Sequence, residues 1–272
     1  MRIRLWAVLG VLTAIGVAHA QLKGALSTEP PTDEAAVTWR NRTGQEVRIT
    51  PPRLTVREEG DASSVPLPVS PALHSLAHDR ATLVYAVGSA LGSAGSAGMC
   101  RMTAQLQDAG DGLLVHVELA FERPVRSDVT LEWEVGLPHS RGAGVVLPAR
   151  NGYVTTRPLA HGGSQAHFLL GRGSASGGAA LALPAVGLSL KRPLAVAIDP
   201  YCGAAFHVSA GRWDAVRVAI STRYRGSVVP LQREKRTIAL RFHDDGVNGV
   251  LRTFYRTIPD IEPAPAWVHD IQ

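Results

Sequence analysis

The sequence predicts an all-β fold, a large antiparallel β-sandwich closed by one C-terminal helix. Three observations carry this. Short segments of apolar–polar alternation recur from residue 36 onward, which is the period of a half-buried strand. Gly, Pro, Asn and Asp separate them at short intervals, as sandwich connections require. One stretch near the C-terminus switches to the 3.6-residue helical period.

In chain order, the first element is an address. Arg2 and Arg4 precede an uncharged apolar run, Leu5 to Val17, and Ala18-His19-Ala20 is a small-x-small cleavage site. That order is a secretory signal peptide, and its apolar run is too short to span a bilayer. Cleavage leaves Gln21, which cannot carry a lipid anchor, and the two arginines are not adjacent as the twin-arginine route needs. The expectation is an exported protein, periplasmic or extracellular, with no stable membrane span after cleavage. Residues 1–20 are the signal, 21–260 the sandwich, and 261–272 a linker and the start of a following element.

Residues 36–40 and 46–50 flank Asn41 to Gln45, a hairpin turn, and Ala81 to Val87 is a third strand. The clearest alternation places Leu113, Val115, Val117, Leu119 and Phe121 on one face against His116, Glu118 and Glu122. Asp111-Gly112 before it is a turn signal that folds it back onto residues 100–107. Val129, Leu131, Trp133 and Val135 repeat the pattern against Thr130, Glu132 and Glu134. Further strands are expected near 143–148, 152–157, 165–170, 179–183, 194–199, 204–209, 215–224 and 237–243. Glu59 to Ala72, Gly88 to Gly98 and Gly171 to Gly178 read as loops.

The helix is Val247 to Ile258. Val247, Val250, Leu251, Phe254, Tyr255 and Ile258 form one apolar stripe. Asp244 and Asp245 suit its positive end, and Pro259 stops it. Pro263 and Pro265 then make an extended link into Ala266 to Gln272.

Charge excludes little but weighs against nucleic acid. The formal charge of +5 falls to +3 once Arg2 and Arg4 leave with the signal, and every base except Lys23, Lys191 and Lys235 is arginine. The arginines stand singly along strands rather than in one run. We read their excess as the bias of a high-GC genome and expect no nucleic-acid partner. Cys100 and Cys202 are the two cysteines. In an exported protein they are either buried thiols or, the expectation adopted, one bridge between distant strands. Closing so long a loop stabilises by about 4 kcal/mol in the chain-entropy model.

Chemical motifs are few. His74 and His78 have helical metal-pair spacing but lack the Glu of H-E-x-x-H, and a solvated surface is the better reading. His139, His161, His167 and His207 are isolated, so no metal site is expected. Glu132 and Glu134 share a strand face about 7 Å apart, a distance at which carboxylates can flank a glycosidic bond; a polar outer strand face is the better reading. Capping accounts for Asp244 and Asp245 beside His243. There is no G-x-S-x-G elbow, and the Gly171 to Gly178 glycines do not link a strand to a helix. No catalytic residue and no cofactor follow. Trp39, Trp213 and Trp267 are candidate carbohydrate-contact residues, because exposed aromatics can stack on sugar rings; Trp133 lies on an apolar strand face and reads as core.

A last strand Thr237 to His243 leads to the helix with its Phe254-Tyr255 pair, then to Ile258-Pro259-Asp260 and a proline-rich link into Trp267-Val268-His269-Asp270-Ile271. From about Leu113 onward this order resembles the N-terminal β-supersandwich, galactose-mutarotase-like, of secreted glycoside hydrolases with a (β/α)8 barrel. The resemblance implies that the catalytic carboxylates belong to the barrel, beyond residue 272. It implies a non-catalytic module of an exported carbohydrate-active enzyme that supports or lines a sugar-binding cleft, with carbohydrate or a following catalytic barrel domain as partner. The alternative is a stand-alone secreted or periplasmic β-sandwich for binding or structure.

Overall fold

A computed structural model describes residues 25–28, 37–57, 65–67, 69–76, 79–87, 100–138, 144–149, 154–158, 164–168, 179–201, 203–210, 216–226 and 228–258. The signal, the linker, Trp213, Trp267 and Cys202 lie outside these, as do His78, His139 and His161.

Two sheets form. The first contains β1 (Ala25–Thr28), β2 (Val37–Arg40), β3 (Glu46–Ile49), β10 (Asp128–Leu137), β18 (Val216–Arg225), β17 (Ala204–Ala210), β13 (Ser164–Phe168) and β14 (Ala179–Ala180), in that spatial order. β4 (Arg53–Arg57) also pairs with β10, and β5 (Val65–Leu67) with β4. The second sheet runs β12 (Val154–Pro158), β11 (Gly144–Pro148), β15 (Ala185–Ser189), β16 (Leu194–Ile198), β19 (Leu231–Phe242), β9 (Gly112–Val125), β8 (Cys100–Asp108), β7 (Arg80–Val87) and β6 (Val69–Leu76). Pairing among these is antiparallel except between β13 and β14. The fold is the expected all-β sandwich.

Alternation decides which face is buried. Leu113, Val115, Val117, Leu119 and Phe121 all point into the core, as do Val129, Leu131, Trp133 and Val135. They meet residues of β8, β18 and β19 between the sheets. At the β8–β9 turn the positive φ falls on Gly110, at 87°, rather than on Gly112. The expected pairing is nevertheless formed, from Cys100↔Phe121 to Asp108↔Leu113. At the earlier turn, Asn41 Oδ1 accepts the backbone N–H of Thr43 at 3.0 Å and of Gln45 at 2.8 Å.

Two expectations are corrected, and two candidate residues, His74 and Cys100, are placed. The Glu59 to Ala72 loop contains β5 and the start of β6, so Val65–Leu67 and Val69–Leu76 are strand despite their prolines. His74 is therefore on a strand, where its i, i+4 spacing to His78 is not the spacing of a helical pair. Trp39 is wholly buried and stacks on Phe242, with no face left for a sugar. Cys100 carries a free thiol, turned from β8 into the core; Cys202, the other half of the expected bridge, lies outside the described residues, and the bridge is not shown.

The helix, α1 (Gly246–Tyr255), lies on the outer face of the second sheet. Its bed is made of small residues, Ala185, Ala195 and Ala197, on which Val250, Phe254 and Ile258 pack. Contact is close: a Cβ on Gly187 would stand 2.8 Å from Val250 Cγ2, and one on Gly249 would overlap the His243 ring. The buried face is Gly249, Val250, Thr253 and Phe254, while Val247 and Tyr255 are exposed. The expected stripe is thus rotated toward the small residues that allow close approach. Asp245 occupies the N-cap without a side-chain capping bond; its carboxylate instead accepts from Arg252 at 2.9 Å. Beyond the helix, Arg256 donates to both carboxylate oxygens of Asp111, at 2.7 and 3.0 Å, and so ties α1 to the β8–β9 turn.

Candidate functional site

Beside the helix bed, the outer face of the second sheet becomes polar. Registers across β8, β9 and β19 set side chains in rows: Gln105–His116–Thr237, Thr103–Glu118–Lys235, and Arg101–Ala120–Arg233. Alternation turns Val117, Ala104 and Ile238 inward from the same strands. A register shift between Leu231 and Arg233 disturbs the ladder where β19 enters the sheet.

Three depressions meet along the first half of β19. The largest, about 740 Å³, runs from Phe168, Arg223 and Tyr224 to Glu234 and Arg236. A second, about 520 Å³, lies over Arg101, Ala120 and Arg233. A third, about 250 Å³, lies over Gln105, His116 and Thr237. Gln232 and Arg233 border the first two, and Thr103 and Glu118 the last two, so the three adjoin as a trough that follows β19 from the opening between the sheets onto the outer face of the second.

Its side chains are held in place by one another. Glu118 accepts from Arg233 and lies 3.8 Å from the Lys235 ammonium. This makes Glu118 an oriented acceptor between two cations. His116 Nδ1 lies 3.2 Å from the Thr237 hydroxyl. Desolvation on the sheet lowers its imidazole below the usual histidine value, which favours the neutral ring.

Behind the trough, Asp199 and Arg236 are both buried. Asp199 accepts the backbone N–H of Thr237 and, at 3.3 Å, that of Tyr201; Arg236 Nη1 is 3.9 Å away. Burial raises the Asp199 carboxyl, and the Thr237 bond and the Arg236 charge recover only part of the rise. Arg236 also pairs with Glu234 and sits 5.0 Å above the Tyr224 ring.

Sequence reasoning placed His116 and Glu118 on a polar strand face without assigning them a role, and it missed Gln105, Arg233 and Lys235. The available signal was Arg233-Glu234-Lys235-Arg236, a charged run that continues the Thr237 strand toward its start. Glu132 and Glu134 lie on the outer face of the other sheet, where Glu134 pairs with Arg217 at 3.4 Å. Among the described residues no group of three or more His, Cys, Asp or Glu is placed to hold a metal ion. No helix among them is long and apolar enough to cross a membrane.

Fold and site together define a two-sheet, largely antiparallel sandwich with a polar, arginine-bordered trough along β19. No protein-family model and no curated protein matches the sequence. Among solved structures the chain is similar to a GH36 alpha-galactosidase from Geobacillus stearothermophilus, with 16% identity over 84% of this chain and 33% of that one, TM-score 0.40. It is similar to an alpha-galactosidase from Lactobacillus brevis, with 10% identity over 78% of this chain and 29% of that one, TM-score 0.41. It is also similar to a galactose mutarotase related enzyme from Lactobacillus acidophilus, with 8% identity over 80% of this chain and 97% of that one, TM-score 0.45. The chain spans about a third of the length of the alpha-galactosidases it matches.

Proposed function

We propose that this chain is an exported, non-catalytic β-sandwich module of a carbohydrate-active enzyme, and that it binds saccharide along the trough on β8, β9 and β19. The observation that carries the reading is the lining. Gln105 and Gln232 amides, Thr103 and Thr237 hydroxyls and the Glu118 carboxylate stand side by side in one groove. Neighbouring donors and acceptors of this kind suit the paired hydroxyls of a sugar. The sequence resemblance between Thr237 and Asp260 supports the same reading. Recognition by this lining works through hydrogen bonds; of the candidate stacking residues Trp39 is in the core, and Trp213 and Trp267 lie outside the described residues.

Titration calorimetry of residues 21–272 against a panel of neutral and acidic oligosaccharides tests this. Saturable binding that is lost in Glu118→Ala and Gln105→Ala is expected. No binding to any saccharide would overturn it. Nitrophenyl glycosides should not be hydrolysed; turnover abolished by Glu132→Gln or Glu134→Gln would overturn the non-catalytic part.

A further inference from the structure

Arginines that stand singly along the sequence are gathered by the sheet around one slot. Arg101 on β8 and Arg233 on β19 occupy the same cross-strand row, with Ala120 of β9 between them. Two strand spacings separate their backbones by about 9.5 Å. The small methyl of Ala120 leaves the gap open, and the resulting cavity of about 520 Å³ has both arginines in its lining. Gln232 and Thr103 border the same cavity and can serve neutral hydroxyls.

The charges around the slot are unequal. Glu118 is its one acidic lining residue, and Arg233 and Lys235 already engage it. Arg101 has no ion pair among the described residues. Arg233 keeps further N–H groups beyond those on Glu118, since a guanidinium carries five. Arg223, in the adjoining depression, is already held by Asp128 at 2.6 Å, so the open guanidinium charge at the slot is that of Arg101 and Arg233. A neutral sugar leaves this excess of guanidinium unused. A ligand with a planar anionic group satisfies it in bidentate geometry.

We infer that the Arg101–Ala120–Arg233 slot is a subsite for the anionic group of an acidic sugar, a uronate carboxylate or a sulfate ester. The inference rests on the saccharide-binding reading above and adds the substrate class to it. The two guanidinium groups take the anion from either side, Ala120 floors the slot, and Gln232 and Thr103 hold the adjoining hydroxyls.

The test compares trigalacturonate, its methyl ester and a sulfated galactose oligosaccharide by calorimetry on residues 21–272. The charged trimer should bind roughly tenfold or more better than its ester, as a charge-assisted bidentate contact predicts. Arg101→Ala and Arg233→Ala should each remove that preference, and raising the salt should weaken it. Equal binding of acid and ester would overturn the inference while leaving the saccharide reading standing; no binding of any saccharide would fail that reading itself. Preference for the sulfated sugar over the uronate would assign the anion as sulfate. Ala120→Leu fills the slot without changing charge and should abolish the preference. An unchanged acid preference in that variant would mean general attraction to a basic surface, and the inference would fall.

Discussion

Trp39 of the first sheet stacks on Phe242 of the second, ring centroids 5.9 Å apart and planes 20° from parallel. The pair joins β2 to the end of β19, and Trp39 is 0% exposed. Its Nε1–H has no hydrogen-bond partner, so the ring acts through volume and stacking. Trp39→Ala should therefore destabilise by about 3–5 kcal/mol, with a smaller loss for Trp39→Phe. Urea unfolding measures both. A variant that stayed stable but lost sugar binding would return Trp39 to a binding role.

The helix bed gives a second prediction. In Gly187→Ala the new methyl would stand 2.8 Å from Val250 Cγ2 and 3.1 Å from Val146 Cβ. Overpacking of this kind costs about 1–3 kcal/mol. Adding Val250→Ala to Gly187→Ala should recover part of the loss, a coupling that a double-mutant cycle reads directly. Strict additivity would mean that α1 does not press on β15 as described.

His243 makes folding pH-dependent. Its ring is buried beneath Gly249, with neither nitrogen hydrogen-bonded. Burial lowers its pKa and the Arg241 charge lowers it further, while Asp245 and Asp244 oppose. Below about pH 6.5 the unfolded chain takes up a proton that the folded ring refuses, so stability falls as the pH drops. His116 is lowered too and adds the same sign; the raised Asp199 works oppositely, in more acidic solution. The urea midpoint should decrease from pH 7.5 to 5.5, and less steeply in His243→Gln. The same slope in both proteins would assign the effect elsewhere.

Cys100 supplies a chemical test. Burial pushes its thiol up to about 12, against a backbone hydrogen bond with Ala120 that pulls it down. Only the thiolate reacts, so iodoacetamide at pH 8 should leave Cys100 unmodified in the folded protein. Unfolding without reductant should expose it, and mass spectrometry of the peptide reads the label. Failure to label Cys100 after unfolding would show that it is bridged.

Reading the residues in order found what depends on near neighbours along the chain. The inward set of β9, the β10 alternation and the β8–β9 hairpin each follow from a two-residue period and a turn within a few positions. Prolines concealed β5 and β6, because Pro66 and Pro71 lower strand propensity locally while pairing with β4 and β7 supplies the missing order. The helix was legible as a helix, but its buried side was not. Val247 is as apolar as Val250 and Tyr255 shares the same stripe; only the Ala and Gly bed beneath selects the Gly249–Thr253 side for closest approach.

The trough depends on still longer range. Arg101 and Arg233 are 132 positions apart in the sequence, and nothing local to either predicts the other. Chain order determined which side chains face outward, since alternation is local. Strand order and register decided which of them share a row, because β8 and β19 both pair with β9 and bring the two arginines to either side of Ala120. Trp39 shows the same division: its sequence marks an aromatic on a strand, and only the opposing sheet, with Phe242 across from it, makes it core.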